Sequence, residues 1–436
     1  MDEQQNKRLL DRAITLARDV GAKLDLDAQV ELWDGSRHPI GASVTGPFVL
    51  KIADAGVVAS LLRRPSIDTL VELYVSKRID FSGGTLLDFG RQLNRGGRSI
   101  KLGAVQKLGL VRNLAPFFFA PREAVKTGGQ FAGEFTGDSR KAGDNQKYIS
   151  FHYDLSNEFY QLFLDPEMVY SCGYFKNWDG TLEAAQVDKL DMVCRKLRLK
   201  PGDRFLDIGC GWGGLVAHAA KNYGVTAHGI TLSKEQLDLA QAKIERLGLS
   251  SQVTFELIDY AKVTGTFDKI ASVGMYEHIG LANIPHYMSK VRALLSDDGL
   301  FLNHAISRKA KKPRLIPDRI RPEQKALAKY IFPGGALDDI GHTVAAMERA
   351  GFEVHDVEGW RMHYALTCRM WLDRLTARRD DAIRLVGEDK YRIYVAYLAG
   401  CALAFERGTA RLFQTLASKT AKRPSLLPPT RADLYR

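Results

Sequence analysis

From residue 204 onward, short apolar runs alternate with longer stretches in which apolar positions recur every three or four residues. This pattern predicts strands near residues 204–208, 225–230, 253–258, 267–273, 299–304 and 352–357, separated by helices such as those over 234–247 and 285–295. Strand and helix in regular succession predict an α/β fold built on a doubly wound sheet. The first half reads differently. Residues 45–52 look like a strand after a turn and 57–64 like a helix, and a glycine turn leads into an apolar helix start within 79–89. Leu10, Ala13, Ile14 and Ala17 fall at helical spacing. We expect residues 1–125 to form a small mixed α/β accessory domain and the polar, glycine-rich residues 126–147 a linker. A second domain is expected over 148–436, opening with dense aromatics, a helix over 155–164 and a loop at Tyr170–Tyr174 lying over a pocket.

Composition narrows the setting. A chain of 436 residues, 45% hydrophobic and 26% charged, has room for two domains and an ordinary globular core. No apolar run approaches the roughly 20 residues that a bilayer span needs, and Pro116 interrupts the densest stretch, 114–120. A soluble protein is expected. Asp11, Arg12, Arg18 and Asp19 break the apolar positions near the N-terminus, which argues against a signal peptide there. The five cysteines, Cys172, Cys194, Cys210, Cys368 and Cys401, form no C-x-x-C pair and are odd in number. That points to a reducing cytoplasm, with neither a disulfide framework nor a metal site. A net charge of +11 and a pI near 9.3 ask for an anionic partner, nucleic acid or the anionic face of a membrane. Charge alone does not choose between them.

The chemistry centres on Arg204–Gly214, where an apolar strand runs into closely spaced glycines. Gly209, Gly211 and Gly214 satisfy G-x-G-x-x-G, a pattern in which backbone N–H groups and a helix N-terminus approach a cofactor. Dinucleotide and S-adenosylmethionine sites share it. A dinucleotide fold would usually place an acid about 20 residues further on, but Val225–Ser233 contains none. Asp207 at the head of D-I-G-C-G-W-G-G instead resembles the first motif of S-adenosylmethionine-dependent methyltransferases. Because ligands of doubly wound sheets bind at the carboxyl ends of the strands, Asp207, Thr231, Asp259, Glu277 and His304 become the candidate side chains.

The segments 170–172, 206–214, 231–236, 272–280 (Ser-Val-Gly-Met-Tyr-Glu-His-Ile-Gly), 304–306, 330–335, 363–367 and 398–405 occur in the order seen in cyclopropane fatty acid synthases and mycolic acid cyclopropane synthases. The chain resembles that family over roughly residues 147–418. The resemblance implies a Rossmann-like class I methyltransferase fold for residues 148–436. It also implies attack of a cis double bond of a phospholipid acyl chain on the sulfonium methyl, followed by proton loss and ring closure. For S-adenosylmethionine it implies Tyr170, Ser171, Asp207, Gly209, Gly211, Gly213, Thr231, Gln236 and Asp259, with Tyr260 against the adenine. It further implies a bound bicarbonate as base, held by the side chains of Glu277, His304 and Tyr364 and the backbone at Cys172 and Ile306. Cys401 occupies a family position regarded as a nucleophile, although its neighbours Ala402 to Phe405 look like the buried face of a helix and the carbocation route needs no protein nucleophile.

Each residue also has a plainer reading. Glu277 could cap a following helix, His304 alone would be a core histidine and Tyr364 alone would be packing. Arg308, Lys309, Lys311, Lys312 and Arg314, with Arg319 and Arg321 behind, follow the His304 strand and suit anionic lipid headgroups. The run lacks the interleaved aromatics of a nucleic-acid site, so no nucleic-acid partner is expected. Together these features predict a cytoplasmic enzyme, peripheral at the inner face of the membrane, with a homodimer suggested by family analogy. Alternatives are an enzyme whose product is methyl-branched or methylated and unsaturated, a small-molecule N-methyltransferase, and a lipid-binding protein with a degenerate site.

Overall fold

The computed structural model describes residues 3–24, 26–41, 43–95, 112–120, 155–310, 337–420 and 427–435. These fall into two compact units.

The first unit begins with α1 (Glu3–Leu24), whose Leu9 and Ala13 are buried. It continues through β1 (Gln29–Glu31), β2 (Arg37–Pro39), β3 (Val49–Ile52), α2 (Ala55–Arg63), α3 (Ile67–Val75), β4 (Ile79–Ser82) and α4 (Leu86–Arg95). The sheet order is β2-β1-β3-β4, with β1 and β3 parallel and the other pairs antiparallel. The strand expected over 45–52 starts only at Val49, because the Thr45 and Gly46 amides donate to Asp27 Oδ1 at 2.7 and 2.8 Å rather than to a neighbouring strand. Asp54 caps α2 by accepting from the Gly56 amide, which starts that helix two residues earlier than expected.

The expected boundary at 148–436 does not hold as one compact body, since residues 387–403 cluster with the first unit. The buried Arg392 accounts for this. Its guanidinium donates to the carbonyls of Tyr74 (2.7 Å) and Ile79 (3.2 Å), pairs with Asp80 at 3.2 Å and lies 4.0 Å over the Tyr74 ring.

The second unit carries α5 (Asn157–Gln161), α6 (Leu182–Lys196), β5 (Arg204–Ile208), α7 (Gly214–Tyr223), β6 (Thr226–Thr231), α8 (Lys234–Arg246), β7 (Val253–Leu257), β8 (Phe267–Val273), α9 (Ile284–Leu294) and β9 (Leu295–Arg308). It continues with α10 (Ile340–Arg349), β10 (Phe352–Gly359), α11 (Arg361–Ala377) and α12 (Arg379–Val386). The helix α13 (Glu388–Glu406) follows, its last residues belonging to this unit, and then β11 (Ala410–Lys419).

The strands form one sheet in the order β10-β11-β9-β8-β5-β6-β7. Neighbours from β7 to β9 are parallel, while β11 runs antiparallel to both β9 and β10. The strand β11 was not foreseen. Its Ala-Arg-Leu-Phe-Gln-Thr-Leu-Ala-Ser-Lys sequence shows neither clean alternation nor an apolar run, because it lies inside the sheet and carries the buried polar residues Gln414 and Thr415.

Alternation along β5 sends Phe205 into the cluster of Val193, Val216 and Leu302 on one sheet face, and Leu206 and Ile208 into that of Ile270, Tyr287 and Val291 on the other. Both faces are covered, as parallel sheets require. Sequence order reverses at β5, between β6 and β8, so a crevice is expected at its carboxyl end. Among the described residues, no helix is long and apolar enough to cross a membrane.

Candidate active site

The crevice is present. Where β5 ends, Gly209, Gly211 and Gly213 take φ values of +82°, +55° and +76°, which side chains beyond glycine rarely adopt. The Gly209 and Cys210 amides both donate to the Ile230 carbonyl, at 3.0 and 2.9 Å, and so fasten the turn to β6. A Cβ on Gly213 would come within 2.9 Å of the Phe255 ring. The turn delivers the chain to the N-terminus of α7, leaving a cleft with backbone on one wall.

Tyr170, Ser171, Asp207, Gly209, Gly211, Thr231, Gln236 and Tyr260, all expected to hold the cofactor, line this one cleft. Thr231 donates to Gln236 Oε1 at 2.8 Å and accepts from the Ser233 amide, which fixes both side chains at the start of α8. The Tyr260 ring meets Tyr287 edge-on at 5.0 Å. Two expected residues stand differently. Gly213 packs behind the turn against Phe255, and Asp259 accepts from the Ala261 amide at 2.9 Å, capping the turn that presents Tyr260, without lining the cleft.

The electrostatics of the cleft depend on a residue not foreseen. Lys189 of α6 is only 2% exposed, yet it lines the cleft and donates to Ser171 Oγ at 3.0 Å. Burial brings its ammonium down to about 8, against the attraction of Asp165, Cys172 and Asp207. Asp207 is buried and its Oδ1 has no protein partner. Burial raises its carboxyl to about 7, with Lys189 opposing the rise. The sequence held a usable signal. Leu182, Ala185, Gln186, Lys189, Leu190 and Val193 form the buried stripe of an amphipathic helix, and a lysine in such a stripe needs a reason to be there.

A second polar cluster lies further along the strand ends. Glu277, in the turn Tyr276–His278 after β8, is buried. Its Oε1 accepts from the Ile306 amide at 2.5 Å, whereas its Oε2 has no protein partner. Burial is the main force raising it to about 7, and the Ile306 hydrogen bond opposes it. His304 on the adjacent β9 is 1% exposed; burial, then Lys189 and Lys196, hold it well below its ordinary value, so the imidazole is neutral. Gln414 of β11, paired in register with His304, places its amide nitrogen 3.0 Å from Nδ1. With that amide donating, the ring proton sits on Nε2, which is buried without a protein partner. Gln414 was also not foreseen, because only the pairing of β9 with β11 brings it here.

The remaining expected residues are distributed around these two clusters. The Ile306 amide, expected to face the bound base, is used by Glu277. Cys172 is fully buried, and burial pushes its thiol well above the usual range. Among the described residues no acceptor takes the Cys172 amide. Its loop is fixed to α11: the Gly173 amide donates to Thr367 Oγ1 at 3.1 Å and the Phe175 amide to His363 Nδ1 at 3.0 Å. Tyr364 of α11 is half-buried, its ring stacked on Phe405 at 4.5 Å. Cys401 belongs to the other compact unit, does not line the cleft, and has its thiol pushed up to about 12 by desolvation. Arg308, expected to meet headgroups, is paired with Asp339 at 3.1 Å and donates to the Leu337 carbonyl. Lys311, Lys312, Arg314, Arg319 and Arg321 lie outside the described residues, as do the linker 126–147 and the segment 330–335.

This arrangement can cradle a nucleoside with a charged tail at one end, and can orient and deprotonate a small group at the other. Residues 140–415 match the model of the family described as mycolic acid cyclopropane synthetase. A probable fatty acid methyltransferase of Pseudomonas putida is 38% identical over 95% of this chain and 97% of its own. The cyclopropane-fatty-acyl-phospholipid synthase of Escherichia coli is 39% identical over 62% of this chain and 66% of its own. A crystal structure of a mycolic acid cyclopropane synthase complexed with SAH and CTAB superposes with a TM-score of 0.59 at 35% identity, covering 63% of this chain and 98% of that one.

Proposed function

Because this chain belongs to the mycolic acid cyclopropane synthetase family and is an S-adenosylmethionine-dependent methyltransferase, we propose that it methylates a cis double bond of a phospholipid acyl chain and closes a cyclopropane ring there. The observation that carries this reading is the second cluster. Glu277 and His304, at the ends of adjacent strands, are both buried, and each keeps one polar atom without a protein partner. Buried polar atoms left in that state are costly, so a site that keeps two has a polar guest to bind.

Bound S-adenosylmethionine supplies an electrophilic methyl group on a sulfonium sulfur. The chain's own residues supply the rest. The glycine turn, Thr231, Gln236 and Tyr260 hold the nucleoside, and the loop at Tyr170–Gly173, fixed by Thr367, covers the charged end. Glu277 Oε2 accepts a hydrogen bond and His304 Nε2 donates one, a complementary pair that would hold a bicarbonate ion, and such an ion would supply the base for the proton lost on ring closure. The Cys172 amide adds a donor, and Tyr364 is assigned to the same group. Water must be kept from a developing carbocation, which suits a cluster this deeply buried. The acceptor lipid lies in a bilayer, and the net charge of +11 favours docking at its anionic inner face as a peripheral protein.

A second reading keeps the same site with a different outcome. The relative that aligns over nearly the whole chain is named a probable fatty acid methyltransferase, so the product would be a methyl-branched or methylated unsaturated chain. Mass spectrometry of cis-unsaturated phospholipid vesicles incubated with the enzyme and S-adenosylmethionine decides between them. A gain of one CH2 unit that persists as a ring through alkene hydrogenation, and needs bicarbonate, is the expected result. The same gain without a ring supports the second reading, and no gain overturns both.

A further inference from the structure

The cleft contains a buried cation that the cradle around the nucleoside does not require. We propose that Lys189 binds the α-carboxylate of the methionine end of S-adenosylmethionine, while Asp207 takes its α-ammonium. The inference rests on the use of that cofactor and not on the identity of the acyl acceptor, so it stands or falls separately from the lipid assay.

Four observations support it. An ammonium has three donors, and Lys189 gives one, to Ser171 Oγ at 3.0 Å; among the described residues no acceptor takes the other two. Nor does any described carboxylate stand within ion-pair distance of it. Asp165, the carboxylate that attracts it most, already accepts from the Glu167 and Val169 amides at 2.9 and 3.0 Å. Asp207, in the same cleft wall, keeps Oδ1 buried and unpartnered. Finally, Lys189 is the one lysine or arginine among the described residues that line the cleft.

A buried ammonium is costly unless something pairs with it. The amino-acid end of the cofactor is a zwitterion, and a cleft that offers one unpaired cation and one unpaired carboxylate complements both of its charges. Ser171 then acts as a positioning residue, holding Lys189 by its first donor and leaving the others toward the cleft. The depressed affinity of Lys189 for its proton accords with a cation waiting for its partner.

Calorimetry with three ligands tests this. S-Adenosylhomocysteine carries the whole amino-acid end, its decarboxylated counterpart lacks only the carboxylate, and 5′-methylthioadenosine lacks the end altogether. Wild-type enzyme is expected to prefer S-adenosylhomocysteine over the decarboxylated ligand by about 10- to 100-fold, the range of one charge-assisted hydrogen bond. Lys189→Met should bind those two equally, and bind 5′-methylthioadenosine as wild type does, which also reports that the variant is folded. Lys189→Gln provides the same comparison should the Met variant not fold. Wild-type enzyme without the preference, a variant that retains it, or a variant that weakens all three ligands alike would each overturn the proposal, the last by reducing Lys189 to a support for the Ser171 loop.

Discussion

The glycine-lined cleft and the Glu277–His304 cluster lie at the carboxyl edge of one sheet, yet they are built in opposite ways. The cleft is local. Asp207 and three glycines of positive φ occupy seven consecutive residues, and the turn is fastened by two amides to a single carbonyl on the next strand. The cluster is assembled at long range, with Glu277 fixed by the Ile306 amide and His304 by Gln414, 110 residues away in sequence. Backbone does most of the holding in the cleft, whereas side chains do it in the cluster. Shape should therefore dominate affinity for the nucleoside part of the cofactor, and charge and proton position should dominate turnover. Lys189 joins the two, since it lines the cleft and its charge also depresses His304.

The sharpest break of this comparison is Glu277→Gln, which keeps the volume and removes the proton acceptor. Turnover should fall at least about 100-fold, while the Kd for S-adenosylhomocysteine stays within about twofold; an equal loss of both would erase the distinction between the regions. The same substitution has a stability signature. A carboxyl raised to about 7 in the fold contributes stability below its ordinary range that is lost as pH rises through about 7, on the order of 3 kcal/mol for Glu277. Urea unfolding of the wild type at pH 5 and pH 7 should show about 2 kcal/mol of that loss, and Glu277→Gln should reduce it.

Gly213→Ala comes next. It forces a side chain into φ +76° and against Phe255, a cost of about 1–3 kcal/mol. Cofactor affinity should fall about tenfold, while the kcat of the enzyme that does bind changes little.

Gln414→Leu removes the partner of His304 Nδ1 and frees the ring to change tautomer. We expect kcat to fall about tenfold, with S-adenosylhomocysteine binding unchanged and wild-type behaviour regained in Gln414→Asn only if the shorter amide still reaches. The smallest effect is expected for Thr367→Val, which takes the acceptor from the Gly173 amide. Loosening one loop hydrogen bond should raise the Kd for S-adenosylhomocysteine by about threefold to tenfold, measurable by the same calorimetry.

Much of this was legible in the sequence. The parallel strands from β5 to β9 lie close to where they were predicted: the central β5 is largely apolar because both of its faces are covered, whereas the edge strand β7 alternates, with Thr254 and Glu256 exposed. The glycine turn was legible because positive φ selects glycine. Lys189 was visible but unread, a charge set within a buried helical stripe. Gln414 was not readable, since nothing near it marks the strand it lies on or the histidine it faces. Residues 387–403 cluster with the first unit, and the sequence does not show it, because the groups that hold Arg392 are the Tyr74 and Ile79 carbonyls and Asp80, more than 300 positions earlier.

By itself, the sequence determined the α/β order, the glycine turn and the side chains at the strand ends, all of which follow from rules acting over a few residues: periodicity, the conformational freedom of glycine and the strand-end position. Tertiary structure alone decided which of those side chains are buried without a partner, which strand completes the sheet beside His304, and where the cleft keeps its cation. Burial and proton position depend on what surrounds a group in three dimensions, and for Lys189, Glu277 and His304 those surroundings come from segments far apart in the chain.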